Sequence, residues 1–296
     1  MPSARPEAEL PPLKIVPTAS LVLHEEFEAQ RSAPLAARLF SDGVLKNPPI
    51  VASIEGDNRY VVLDGTNRAV AMAALAAPHI LVQVVDYDDP QLILDTWSHL
   101  VTEMPHDEFF DGVKALDELR LEPSDQLHAR AELARRRAVA YVILWDAAQP
   151  DMSRAAKPGA HRVYLLYVDD DRRGKTAILT RLVDTYQPRG RINRVSTDHF
   201  NQLLPLYDNV TALVVFPRYT PSEIVELARQ GAYLPTGVTR HVIPGRALRL
   251  NFPLAVLIDH RQSLEGKNAW LQDWIRAKLA NKEVRYYQES TYLFDE

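Results

Sequence analysis

Short β-branched runs and helix-spaced apolar runs alternate along the chain, with turn-forming residues between them. Leu13–Val16 and Leu21–Leu23 flank Pro17 and predict two short strands. Ser32 and Pro34 then open a helix that Gly43 stops, since Ser suits a cap and Pro a first turn. Pro49–Ile54 and Tyr60–Leu63 are β-branched runs around the turn-rich Glu55-Gly56-Asp57-Asn58, the pattern of a hairpin. An alanine-rich helix follows from Asp64-Gly65-Thr66-Asn67-Arg68 to near Pro78, and Ile80–Val85 reads as a further strand.

After the acidic turn Asp86–Pro90, the apolar run around Trp97 predicts a helix, and residues 105–136 read as polar and helical. Downstream, the pattern predicts strands at Ala138–Leu144, Val163–Val168 and Val210–Phe216. It places helices over 174–186 and 221–230. Beyond Gly231 come a Gly/Pro loop, a strand, a tryptophan-bearing helix and two terminal strands. Alternation of this kind implies an α/β or α+β architecture. The Pro/Gly/Ala-rich stretch Ala147–Ala160 is the best boundary. The expected organisation is residues 13–104 as one domain, 105–146 as a helical connection and 161–296 as a C-terminal α/β domain.

Composition narrows the function classes. The chain has 296 residues, a formal charge of −5 and no cysteine. That excludes disulfides, zinc–thiolate sites and cysteine nucleophiles, and the acidic balance disfavours a surface built to neutralise nucleic-acid phosphates. The acidic, proline-bearing start has no signal-peptide core, and no run approaches the roughly 20 apolar residues of a membrane span. These features point to a soluble, cytoplasmic protein. Nine histidines are scattered without metal-ligand spacing.

Three short segments could carry chemistry. In Tyr60–Arg68 a strand runs through a glycine turn into a helix, which converges backbone N–H groups and a positive helix end on one point, with Arg68 as a forked cation beside it. An ordinary strand–turn–helix with a capping aspartate has the same spacing. His24-Glu25-Glu26 puts carboxylates at a strand end, where one could take a proton from a substrate hydroxyl or simply start a solvated helix. Thr236-Gly237-Val238-Thr239-Arg240-His241 projects a hydroxyl, a guanidinium and an imidazole from adjacent positions, a set suited to a carboxylate or phosphate. Gly174-Lys175-Thr176 echoes a P-loop end, but the run Asp169-Asp170-Asp171 stands where that loop needs its first glycine, and it would repel phosphate. The run Arg135–Arg137 reads as a solvated face, and Tyr286, Tyr287 and Tyr292 as strand-face packing.

Taken in order, LVLHEEFEAQR (21–31), NPPIVASIEGDNRYVVLDGTNRAVAMAAL (47–75) and VVDYDDPQLILDTW (84–97) resemble the free-serine kinases built on the ParB/sulfiredoxin-like fold, among them a siderophore-linked and an archaeal ADP-dependent member. The family pattern of His-Glu, Arg, Asp-Gly-X-His-Arg and a later Trp falls on His24-Glu25, Arg31, Asp64-Gly65, Arg68 and Trp97. GAYLPTGVTRHVIPGRALRLNFPLAVL (231–257) resembles the closing segment of these kinases, with its Thr-Arg-His trio at Thr239, Arg240 and His241.

The resemblance implies a ParB/sulfiredoxin-like N-terminal domain whose active site a C-terminal α/β domain completes. It implies phosphorylation of free L-serine by ATP or ADP with Mg²⁺. Glu25 would be the general base, and Asp64 would assist catalysis or the metal. Gly65, Thr66, Asn67 and Arg68 would hold nucleotide phosphates, while Trp97, Thr239, Arg240 and His241 would form the serine pocket. Asn67 stands where the family has histidine; it can donate a hydrogen bond but carries no charge. A ParB-like nucleotide-binding regulator contacting DNA, or a weakened kinase fold acting as an amino-acid or nucleotide sensor, are the competing readings.

Overall fold

The computed structural model describes residues 10–27, 29–145, 161–168 and 174–287. The fold is mixed α/β, and its contacts divide the chain into two units. One comprises the described parts of 1–22, 28–89 and 244–296; the other comprises 23–27 and 90–243. The units interleave in sequence, so their limits do not coincide with the linear boundaries at 104, 146 and 161. Two features produce the interleaving. The chain after Pro244 returns to the first unit, and residues 24–26 pair with Leu234 in the second.

The first unit is a five-stranded mixed sheet in the order Leu13–Pro17, His79–Val85, Ile50–Ser53, Tyr60–Asp64, Leu21–Val22. The hairpin expected around Glu55–Asn58 is its antiparallel 50–53/60–64 pair. Val51, Val61, Val62, Leu81 and Val82 are buried, as β-branched and aliphatic side chains should be in a covered sheet. Leu13–Pro17 is an edge strand, and the Leu264–Ala280 helix covers it. Asn268 Oδ1 accepts from the N–H of Ile15 at 2.9 Å, and Asn268 Nδ2 donates to the Ile15 carbonyl at 2.8 Å. That closes an otherwise open strand edge. The helix Ala29–Asp42 begins before its expected cap, which places Ser32 and Pro34 within its first two turns.

The second unit is a six-stranded sheet in the order Arg191–Val195, Ser98–Thr102, Val210–Val215, Ala140–Trp145, His161–Val168, Leu119–Ser124. Three of these strands differ from the sequence expectation. Around Trp97 the chain forms the strands Ile93–Thr96 and Ser98–Thr102 instead of a helix. Every residue of 98–102 is buried, the polar Ser98, His99 and Thr102 included, and burial on both faces leaves no period to tell a central strand from a helix. Residues 105–136 contain the helices His106–Lys114 and Gln126–Ala134 with the strand Leu119–Ser124 between them. That strand tolerates Pro123 because it lies at the sheet edge. Arg191–Val195, the opposite edge, hides behind two arginines, the usual protection of an edge strand. The 221–230 helix follows its signals, with a Thr220/Glu223 capping box and Gly231 at φ +64°. Tyr286 and Tyr287 are exposed and outside any strand; Tyr292 and the linker 147–160 lie outside the described residues.

Candidate active site

Asp64-Gly65-Thr66-Asn67-Arg68 lies in the first unit, where the strand Tyr60–Asp64 passes into the helix Thr66–Ala74. Gly65 sits at φ +95°, and a Cβ there would lie 2.8 Å from the Arg68 guanidinium. Both the left-handed backbone and the stacked arginine therefore demand glycine. No side-chain hydrogen bond caps this helix start, and the Arg68 N–H donates to the Gly65 carbonyl at 2.9 Å.

Arg68 folds back onto the turn. Its Nη1 donates to the carbonyls of Asn47 (2.9 Å) and Pro48 (3.1 Å), and its Nη2 to Asp64 Oδ2 (3.0 Å). Arg246, which the sequence reading did not single out, also donates to Asp64 Oδ2, at 2.9 Å. Burial pushes the Asp64 carboxyl up, but Arg68 and Arg246 outweigh it and hold the group below the usual carboxylate range. Among the described residues, no group of three or more His, Asp or Glu is arranged to bind a metal. Both arginine contacts fall on Oδ2 of Asp64, so Oδ1 is the oxygen a cation could use.

The second unit gathers Glu25, Trp97, Thr239, Arg240 and His241. Residues 24–26 run beside Leu234: the Leu234 N–H donates to the His24 carbonyl at 2.8 Å, and the Glu26 N–H to the Leu234 carbonyl at 2.8 Å. Thr239–Val242 pairs with Ile93–Thr96, setting Arg240 opposite Asp95. The segment 236–239 thereby wraps the Glu25 carboxylate. Gly237 N–H donates to Oε2 at 3.1 Å, and Thr239 donates to Oε1 from its N–H at 2.7 Å and from its hydroxyl at 2.5 Å. Since that hydroxyl donates to Glu25, the contact at 2.9 Å between His24 Nε2 and Thr239 Oγ1 has His24 as donor. The His24 and His241 rings meet edge to face at 5.6 Å. Arg240 lies over the Trp97 ring at 4.4 Å, with its Nη1 at 3.8 Å from Asp95.

The structure thus brings together five of the expected residues in one unit and the Asp64–Arg68 turn in the other. The side chain of Arg31 lies outside the described residues. In the Arg135–Arg137 run each arginine pairs with a carboxylate, Arg135 and Arg137 with Glu132 and Arg136 with Glu223. Gly174-Lys175-Thr176 begins a helix. Among the described residues, no helix is long and apolar enough to cross a membrane.

No family model matches the chain. It is similar along nearly its whole length to the ATP-dependent L-serine kinase SbnI of Staphylococcus aureus, with 25% identity over 284 residues, 96% of this chain and 97% of that one. The C-terminally truncated SbnI structure superposes with a TM-score of 0.67 at 22% identity, over 92% of this chain and 97% of that one. An ATP-dependent L-serine kinase from Staphylothermus marinus is 32% identical over 83 residues, 28% of this chain and 33% of that one. The structure of a free serine kinase in complex with AMP superposes with a TM-score of 0.65 at 15% identity, over 85% of this chain and 98% of that one. One relative thus aligns end to end in sequence and solved structures share the fold, so the chain is similar to the free serine kinases and has their fold.

Proposed function

We propose that this chain phosphorylates free L-serine to O-phospho-L-serine, with ATP as donor. The observation that carries the reading is the Glu25 carboxylate, fixed at both oxygens by the 237–239 segment within a cluster that also holds Arg240 and Trp97. Oε1 accepts two hydrogen bonds and Oε2 one, so Oε2 keeps a lone-pair direction for the serine hydroxyl. In the reaction the serine Oγ–H proton passes to Glu25, the Oγ–P bond forms, and the bond from phosphorus to the departing ADP oxygen breaks. Phosphoryl transfer asks chiefly for positioning and charge stabilisation, so one base and a polar phosphate cradle suffice.

Arg240, aligned by Trp97 and Asp95, pairs with the serine carboxylate, and His241 closes the same cluster. Thr239 orients Glu25, because its hydroxyl is committed to that carboxylate and to His24. Gly65, Thr66 and Asn67 present the uncapped helix start to the nucleotide phosphates, and Arg68 keeps that turn in shape. Mg²⁺, when bound, supplies neutralisation at the phosphates. Asp64 Oδ1 and the phosphate oxygens are suited to hold it.

Incubation of the protein with L-serine, Mg²⁺ and ATP, followed by mass spectrometry, should yield phosphoserine. D-serine and L-threonine should react poorly, and a parallel ADP reaction identifies the preferred donor. Nucleotide binding with no phosphoserine from either donor would replace the kinase by a nucleotide sensor, and would point to Asn67 as the first site to convert to histidine.

A further inference from the structure

His99 and Tyr186 form a buried titratable pair to which the proposed reaction gives no role. His99, in the strand Ser98–Thr102, is 1% exposed, and Tyr186, just after the helix Lys175–Asp184, is fully buried. The His99 ring packs edge-on against Phe216 at 4.9 Å and Tyr186 at 6.0 Å. Its two nitrogens are both engaged: Nδ1 lies 2.9 Å from the Tyr186 hydroxyl, and Nε2 lies 3.3 Å from the carbonyl oxygen of Gly237.

These partners fix the tautomer. A carbonyl only accepts, so Nε2 carries the hydrogen and donates to Gly237; the neutral ring then accepts at Nδ1 from the Tyr186 O–H. Two observations agree with this assignment. Burial holds the imidazole pKa down to about 4, and burial also keeps the Tyr186 phenol protonated. A neutral imidazole and a neutral phenol are the species the hydrogen-bond chain requires.

The chain ends on the Glu25 cradle. Gly237 uses its carbonyl toward His99 and its N–H toward Glu25 Oε2. The next carbonyl, of Val238, accepts from the Trp97 N–H at 2.8 Å, and the next N–H, of Thr239, donates to Glu25 Oε1 at 2.7 Å. Trp97 and His99 therefore fix the two carbonyls that alternate with the two N–H groups aimed at Glu25. Gly237 is at φ +75°, and a Cβ there would overlap the Arg194 guanidinium, so the Arg194 side chain lies against this glycine. A glycine in that conformation has a wide backbone range, and its peptide planes hold one direction only if outside groups fix them.

We propose that His99, oriented by Tyr186, is a positioning residue for the serine-kinase reaction: its Nε2–H clamps the Gly237 carbonyl and so aims the Gly237 and Thr239 N–H groups at the Glu25 carboxylate. The catalytic part of this inference rests on the function proposed above; the structural part does not.

The test uses three variants of the full chain, His99→Phe, His99→Gln and Tyr186→Phe. Phenylalanine fills the ring's space without a donor, whereas the glutamine amide nitrogen reaches nearly where Nε2 stands. In His99→Phe, the Gly237 and Thr239 amides should exchange with solvent at least about tenfold faster by NMR. Its KM for serine should rise and its kcat fall, each by about tenfold, while its KM for nucleotide stays within twofold. His99→Gln should restore most of the protection and the rate, and Tyr186→Phe should show the same pattern more weakly. A residue that merely fills the core would lower the melting temperature and leave the serine KM of the folded enzyme unchanged.

Unchanged amide exchange in His99→Phe, or in Tyr186→Phe should the former not fold, overturns the clamp. Faster exchange with wild-type kinetics overturns its role in the reaction. A wild-type protein that makes no phosphoserine removes the kinase reading instead, and the exchange measurement still decides the clamp.

Discussion

Two carboxylates, one in each unit, are held in opposite ways. Asp64 is gripped at one oxygen by two guanidinium groups, Arg68 at 3.0 Å and Arg246 at 2.9 Å. Glu25 is held at both oxygens by neutral donors, two backbone N–H groups and one hydroxyl. A carboxylate balanced by two cations has its charge compensated by the protein and is a poor proton acceptor. A carboxylate held by dipoles keeps its net charge for the substrate while its direction is fixed. The proposed roles use this difference: Asp64 would shape a phosphate turn, and Glu25, fixed in direction without a cation on it, would meet the serine hydroxyl.

The strongest way to break this comparison is Glu25→Gln. The amide oxygen can replace Oε1 and accept from Thr239, while the NH2 in place of Oε2 faces the Gly237 N–H and cannot accept the serine proton. Initial rates should fall by about 10²- to 10⁴-fold, the usual contribution of a general base, while calorimetry finds nucleotide affinity within twofold of wild type. A rate near wild type would leave Glu25 as an organiser of the 237–239 segment only.

Acidification probes the dipole-held side through His99. Its folded pKa of about 4 lies below its ordinary 6.5. The unfolded chain therefore binds the proton first, and stability present above pH 6.5 is lost as pH falls toward 4. That shift corresponds to about 3 kcal/mol as an order of magnitude. Urea unfolding at pH 7.5 and pH 4.5 should show the loss, and His99→Gln should remove most of it. The remainder belongs to other groups, including His79, which burial and then Lys267 hold below its ordinary value.

Gly65→Ala attacks the cation-held side. The left-handed backbone alone costs about 1–2 kcal/mol for a residue with Cβ, and the new carbon displaces Arg68. Thermal unfolding should occur at lower temperature and nucleotide affinity should drop about tenfold, with serine affinity unchanged. Smaller still is Arg246→Ala: with one cation gone, burial counts for more and the Asp64 carboxyl rises. Nucleotide binding should then weaken a few-fold and become more sensitive to acid, as calorimetry across a pH series would show. Thr239→Ser, which keeps the hydroxyl between His24 and Glu25, should change the rate least, by less than about threefold.

Much of the fold was legible because it is locally encoded. The 50–53/60–64 hairpin, the 66–74 helix and the Thr220-capped helix follow directly from turn residues, spacing and caps. What escaped was set by tertiary context. The buried run Ser98–Thr102 has no amphipathic period to separate strand from helix, and Leu119–Ser124 and Arg191–Val195 carry the proline and charges that edge strands need. The placement of individual site residues divides along the same line. Asp64–Arg68 is contiguous, so its turn could be read from adjacent residues, and Glu25 and Thr239 were singled out within their short segments. Their mutual hydrogen bonds could not be read, because 214 positions separate them in the chain. Arg246 and His99 act through contacts with distant residues, and no local pattern marks either one.

The most direct test of the central claim is phosphorus NMR of wild-type protein and Glu25→Gln, side by side, with L-serine, Mg²⁺ and ATP. The account predicts a phosphoserine resonance growing with wild type and absent from the variant over the same time, although the variant still binds nucleotide. Equal growth in both tubes, or none in either, would contradict it.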